Sequence, residues 1–482
     1  MRETATRSAT ELVKAGGEVK EKPEAGVVVS GAGAEATAAG RARPAQGPAA
    51  RRPRPASVRR PTPIGRLGQA AHHLHVATPP TRDRAVDALR ALAILGIILG
   101  HWLVTALVPA GDGTLRATSP LQHMPWLAPI SWVFQTLAVF FLVGGHVATR
   151  SYTSARSRGT TYPQWLHARL SRLFTPVAAV LTLWTVVALG LLATGTDLDT
   201  IHTLLKLALS PMWFLLVFAA LTAATPLVLR LNPVWPLAVV LHVDLARFGL
   251  GAPQSLGWLN LAAGWLVPYT VGAAWTRGEL DRRRAGWTLL LSGTAATAAL
   301  ITWAGYPASM VGVPGAQVSN LNPPTLAAVT FGLAQCGLAL LLRGPLRRTL
   351  RRRPTAWAAV ALINLSAMTV FLWHQTALMA TTATALTAGH LHGLHTLPDN
   401  PAWIAARLAW LPVFALALLL CWAAFHIHET KPPRAARRTR RNPGTAFTAL
   451  SKAAPQRTSP PRPSTAHPRL PENPRAEAVR HA

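Results

Sequence analysis

From about residue 85 to 428 the chain is a succession of apolar runs, each of the length that crosses the ~30 Å hydrocarbon core of a bilayer at ~1.5 Å rise per residue. In lipid a backbone must satisfy its own hydrogen bonds, so such runs are expected as helices. About ten spans are expected, at 85–108, 128–148, 173–193, 208–229, 234–250, 258–276, 286–304, 325–342, 356–388 and 402–426, the fifth short and the ninth long. The expected fold class is therefore all-α, a polytopic integral membrane helix bundle.

Half of the residues are apolar, yet the formal net charge is +30, and the two facts belong to different regions. Residues 1–84 and 429–482 are dominated by Ala, Pro, Gly, Arg and Thr, as in RARPAQGPAARRPRPASVRRPTP and PPRAARRTRRNPG. Such segments lack the apolar side chains that offset the entropy of ordering, so both are expected as disordered basic arms flanking a membrane domain at 85–428. No aromatic residues interleave with these arginines as a single-strand stacking platform requires, and no specific nucleic acid partner is expected. Attraction to an anionic membrane surface, at about 1 kcal/mol per basic residue near the lipid, suits them better. The chain does not open on a short apolar segment with a small-residue cleavage site, and neither Arg51-Arg52 nor Arg59-Arg60 closely precedes an apolar run. Neither a secretory nor a twin-arginine signal is expected. Cys336 and Cys421 both fall inside apolar runs and make no metal site.

The loops set an expected orientation. Arg150, Arg156, Arg158, Arg169 and Arg172 lie between the second and third spans, Arg277 and Arg282 to Arg284 between the sixth and seventh, and Arg343 and Arg347 to Arg353 between the eighth and ninth. The alternate loops are poor in positive charge: ATGTDLDTIHTLLK has one Lys against two Asp, and GYPASMVGVPGAQVSNLNPP has no charge. The positive-inside rule then places both termini in the cytoplasm and the protein in the plasma membrane, and an even number of spans agrees.

In the first span, VDALRALAILGIILGHW, Arg90 and His101 are eleven positions apart, three helical turns plus ~20°, so they share one face about 16 Å apart along the axis. Asp87, one turn before Arg90, is placed to pair with its guanidinium. Intramembrane ionisable groups are costly and functional by default, whereas the bland alternatives are a snorkelling Arg90 and a packed His101.

An arginine followed after ten residues by histidine resembles the first-helix motif of the acyltransferase 3 family, polytopic membrane enzymes that move acyl groups, often acetyl, onto carbohydrates and other hydroxyl-bearing acceptors. AVFFLVGGHVATRSY resembles the family's second-helix segment, WLHARLSRLFTP its arginine-rich entry to the third helix, PMWFLLVFAAL its Trp-Phe-Leu span, and NLSAMTVFLWHQTAL its late histidine stretch. The resemblance covers about 82–428. Two positions depart from it: Gly144 stands where the family has serine, and Leu372 where it has tyrosine.

The resemblance implies an acyltransferase that draws acyl-CoA, acetyl-CoA above all, from the cytoplasm as co-substrate. The acceptor would be a hydroxyl-bearing sugar, cell-envelope glycan or other small molecule, and no permanently bound cofactor is expected. Arg90, Arg169 and Arg172 would bind the phosphates of the donor, Arg169 and Arg172 lying three apart on one helix face. His101 would be the general base, its neutral imidazole taking the acceptor's proton. His374, at a depth matching that of His101, would assist or bind the acceptor, with Ser366 and Gln375 nearby in sequence. Trp213 is either an interfacial anchor or a pocket wall. Asp244 and Arg247, one turn apart in HVDLARF, either neutralise each other or recognise the acceptor. His390, His392 and His395 lack a carboxylate shell beyond Asp399, and a metal site is not expected there. Asn320 and Asn322 read as a loop ending at a helix start. Arg90, Arg172 and His101 are expected to line one connected cavity. The competing reading is a transporter that uses buried His and Arg as a proton or substrate path; no internal repeat favours it.

Overall fold

The structure, a computed structural model, describes residues 63–111 and 114–426. Residues 1–62 of the arm expected at 1–84, and the whole arm expected at 429–482, lie outside the described residues. Within the expected N-terminal arm, however, Pro63–Ala77 forms a helix, α1. Its Leu74 packs with Ala88, Leu350 and Trp357, an apolar contact that the arm's average composition conceals.

Among the described residues, seven helical segments are long and apolar enough to cross a membrane, or eight if one bent pair counts as a span. They comprise Arg84–Val104 (α2), Pro125–Ser157 ending in Leu137–Ser157 (α3), Tyr162–Ala193 (α4), and the pair Leu198–Leu209 (α5) and Met212–Ala223 (α6). Arg283–Trp303 (α9), Leu326–Arg352 (α10) and Pro401–Phe425 (α13) complete the seven. The expected fifth and sixth spans appear instead as Val234–Asp244 (α7), an 11-residue helix running into a π turn, and Leu259–Thr276 (α8), of 18 residues. Neither meets the length and apolarity of a span, so the expected number of ten is not confirmed. The physical reason is visible in α8, which is buried along most of its length and carries Asn260, Tyr269 and Thr270 inside. Protein rather than lipid surrounds it, and its sequence need not be uniformly apolar.

The long ninth run is broken. Pro354–Leu365 (α11) and Ala367–Ala385 (α12) meet at Ser366 with a bend of 75°. Polar side chains hold the break: Asn364 Nδ2 donates to the carbonyls of Asp87 (2.7 Å) and Val360 (2.9 Å), and Trp422 Nε1 on α13 donates to Ser366 Oγ (2.8 Å). After α2, Ala106–Pro109 (β1) and Leu115–Thr118 (β2) pair as a short antiparallel hairpin.

Helices here associate without the hydrophobic drive of water, and small residues let them approach. A Cβ on Gly145 of α3 would lie 2.0 Å from the Tyr269 carbonyl oxygen of α8, and one on Gly272 of α8 would lie 2.0 Å from that of Leu142 on α3. Gly293 and Gly337 do the same for α9 and α10, where Thr297 and Thr330 also share a hydroxyl hydrogen bond of 3.0 Å. Leu and Val side chains of α4, α9 and α13 face outward, with Trp235, Trp258, Trp287 and Trp303 exposed, as a lipid-facing surface with interfacial aromatics requires.

Candidate active site

The site is assembled around α2. Asp83 caps the helix, its Oδ1 accepting from Ala85 N–H at 3.1 Å, and is held by Arg343 at 3.2 Å; Arg343 also reaches Asp281 at 3.1 Å. The Asp87 carboxylate receives Nε (2.7 Å) and Nη2 (3.3 Å) of Arg82, a partner that the helical spacing does not suggest.

One turn deeper, Arg90 lines a cleft of about 720 Å³ together with Arg169 and Arg172 of α4. Val143, Gly144 and Val147 of α3, Phe218 and Thr222 of α6, and Met368 of α12 form the other walls, and no acidic side chain is among the lining residues. Three arginines on one cleft give it a positive lining, the kind of surface that attracts an anion. Arg90, Phe140, Leu173, Phe218 and Met368 also line a second, narrower cleft of about 290 Å³, whose remaining walls are apolar and include Ile94, Phe214 and Phe371. The two spaces therefore share a wall, and the charge lies at one side of an aromatic slot. Phe140, Phe214 and Phe218 pack edge-on at 5.0–5.2 Å around it, and Phe214 meets Phe371 at 5.4 Å.

Beyond Phe371 lie the histidines. The ring of His374 is 5.9 Å from that of Phe371 and 5.1 Å from that of His101, at 47° to the latter. His374 is fully buried, its Nδ1 2.5 Å from the Phe371 carbonyl oxygen, while its Nε2 has no hydrogen-bond partner. Leaving such an acceptor unmet costs about 1–3 kcal/mol, which calls for a functional or structural reason. Gln375, 1% exposed, places Nε2 3.1 Å from His101 Nδ1, and its Oε1 is likewise buried and unpartnered. His101 is partly exposed and is not among the residues lining either cleft, whereas Arg90 and Arg172 line one together. The aromatic slot and the Phe371 and His374 rings connect the two ends instead.

The end of α2 is fixed by a residue that the sequence reading passed over. Arg407 of α13, 1% exposed, donates from Nε to the Trp102 carbonyl (2.7 Å), from Nη1 to that of Gly393 (2.9 Å), and from Nη2 to that of Thr105. Its guanidinium also lies 4.7 Å from the Phe414 ring centre. A cation at the negative end of a helix, meeting carbonyls that have no helical partner, is favourable twice over. Trp102 Nε1 in turn donates to the His374 carbonyl at 3.0 Å, tying α2 to α12 beside the histidine pair. An arginine inside an apolar run was the signal that marked Arg407.

Other residues singled out in the sequence lie elsewhere. Asp244 is buried: Oδ1 accepts from Asn260 Nδ2 (2.9 Å) and Arg247 Nη1 (3.4 Å), Oδ2 from Tyr306 O–H (3.1 Å) and the Leu326 N–H (2.6 Å) that opens α10. Burial, then the Asp244 charge, pushes the Tyr306 phenol up, which keeps it a donor. Arg247 Nη2 donates to Gln254 Oε1 at 2.8 Å while its buried Nε has no partner, and the Asp244 carboxylate caps α10. Trp213 packs on Trp265 at 6.2 Å at the edge of the main core. His395 donates from Nε2 to the Thr382 carbonyl (2.8 Å) and accepts at Nδ1 from the Leu391 N–H (3.1 Å) as a loop clasp, and Asn320 Nδ2 ties the loop carbonyls of Pro307 (2.6 Å) and Ser309 (3.0 Å). His146, unmarked in the sequence reading, stacks on Trp275 at 4.1 Å and bonds Thr276 at 2.9 Å.

A polytopic helix bundle whose apolar helices are long enough to cross a bilayer defines the class: a multi-pass membrane protein. The family model described as an acyltransferase domain matches residues 83–426, and the chain belongs to this acyltransferase 3 family. It is a membrane acyltransferase. No curated protein and no solved structure matches the chain.

Proposed function

We propose that this protein transfers a short acyl group, acetyl above all, from cytoplasmic acyl-CoA to a hydroxyl of a carbohydrate, cell-envelope glycan or other small acceptor. The observation that carries this reading is the shared wall between the three-arginine cleft and the aromatic slot that points, through Phe371, at His374 and His101. Acyl-CoA combines phosphates with a slender thioester arm, and the two spaces suit those parts in that order. The histidine pair supplies the base that an attacking hydroxyl needs, general base catalysis being worth about 10²–10⁴-fold. The arginine-rich loops lie on the cytoplasmic side of the plasma membrane, where acyl-CoA is found.

The test is incubation of the purified protein in detergent with labelled acetyl-CoA and a panel of sugar and glycan acceptors. Arg90→Ala and Arg172→Ala are expected to raise KM for acetyl-CoA at least tenfold, and His101→Ala to lower kcat at least 100-fold. If no transfer or thioester hydrolysis occurs with any acceptor while proteoliposomes take up solute, the protein is a transporter and the acyl-transfer reading is wrong.

A further inference from the structure

The Phe371 carbonyl and the Gln375 amide, one turn apart on α12, each fix the tautomer of one imidazole. The Phe371 carbonyl can only accept, so the 2.5 Å contact puts the proton of neutral His374 on Nδ1 and leaves Nε2 as a bare, buried lone pair. The Gln375 amide N–H donates to His101 Nδ1 at 3.1 Å, so neutral His101 carries its proton on Nε2. With the ring centres 5.1 Å apart, one acceptor nitrogen and one N–H donor belong to adjoining rings.

Resting on the acyl-transfer reading, we infer that the two histidines divide the work: His374 Nε2 is the general base for the acceptor hydroxyl, and His101 Nε2–H is the donor that holds the thioester oxygen as it becomes an oxyanion. The hydroxyl oxygen bonds to the thioester carbon as its proton passes to His374 Nε2, and the carbonyl π pair moves onto the oxygen held by His101. The carbonyl re-forms, the carbon–sulfur bond breaks, and the leaving thiolate takes the proton from His374. Hydroxyl and thioester become ester and thiol, and both rings return to their starting tautomers. The rival assignment requires the Gln375 amide reversed, so that Oε1 accepts from His101 Nδ1–H and His101 Nε2 becomes the base.

Side-chain amides separate the two, because glutamine keeps an N–H near the position of imidazole Nε2 and is no base. His101→Gln is expected to retain activity within about tenfold of wild type, while His101→Ala loses about 10²–10³-fold, the usual effect of removing one oxyanion donor. His374→Gln is expected to lose about 10²–10⁴-fold in kcat. KM for acetyl-CoA, and binding of CoA itself by calorimetry, stay at wild-type values throughout, which certifies the fold of each variant. Gln375→Glu supplies only acceptor oxygens, forces the His101 proton onto Nδ1, and is expected to lower kcat with His374 intact. The assignment is overturned if His374→Gln stays within tenfold while His101→Gln falls as far as His101→Ala, or if Gln375→Glu is as active as wild type. Absence of transfer by the wild-type protein would instead refute the acyl-transfer reading.

Discussion

Gly144 shows how a single missing Cβ shapes the three-arginine cleft. A Cβ there would lie 2.4 Å from Cε2 of Phe218, whose ring is boxed in by Phe140 at 5.2 Å and Phe214 at 6.3 Å. The family's serine is therefore incompatible with Phe218 where it stands, and the departure at 144 is matched by the ring that fills the space. Gly144→Ser is expected to destabilise the protein by about 1–3 kcal/mol through overpacking. It should also raise KM for acetyl-CoA, since both residues line the cleft. In a double-mutant cycle with Phe218→Ala, read by thermal unfolding in detergent, the two changes should compensate. Additive effects would mean that the ring and the glycine are independent. Leu372, in place of the family's tyrosine, is fully buried in the apolar core and has no comparable polar consequence.

Among helices, α2 carries both Arg90 and His101 and is held at both of its ends. Asp83 and Arg343 fix its start, and Arg407 of α13 fixes its finish within one turn of His101. Arg407→Met removes the cation and leaves the Trp102, Thr105 and Gly393 carbonyls unmet in a buried setting. A loss of about 2–4 kcal/mol is expected from those groups together, measured as a lowered unfolding midpoint in detergent. Arg407→Lys, able to reach fewer of the carbonyls, should fall between. A wild-type midpoint for Arg407→Met would show that α2 needs no clamp. The break at Ser366 matters in the same way: bending α11 from α12 by 75° lets Asn364 bind the start of α2 while His374 meets its far end.

For the molecule as a whole, the proposed orientation has a direct consequence. In a Cys336→Ala, Cys421→Ala background, a cysteine at Ser157, the last residue of α3 at the arginine-rich turn, should be shielded from an impermeant maleimide added to intact cells. One at His390, in the loop before α13, should be labelled. The reverse pattern would invert the protein and separate the three-arginine cleft from cytoplasmic acyl-CoA.

Much was legible in the chain. Apolar run lengths give a helical membrane protein, because bilayer thickness and backbone hydrogen bonding act on each segment locally. The 100° step of a helix puts Arg90 and His101 on one face, and Arg169 and Arg172 on another, without knowledge of any neighbour. Hydropathy marks α7 and α8 as spans but does not register that α8 is wrapped in protein. It also gives no hint that Asp244 turns inward to cap α10, that Arg407 clamps α2, or that Gln375 sets the tautomer of His101. Those relations join residues far apart in the chain, through crossings set by Gly145, Gly272 and Gly293 and a break at Ser366. Local sequence specifies what each helix is; close packing among helices fixes which of its polar groups meet, and in this protein the chemistry lies in those meetings.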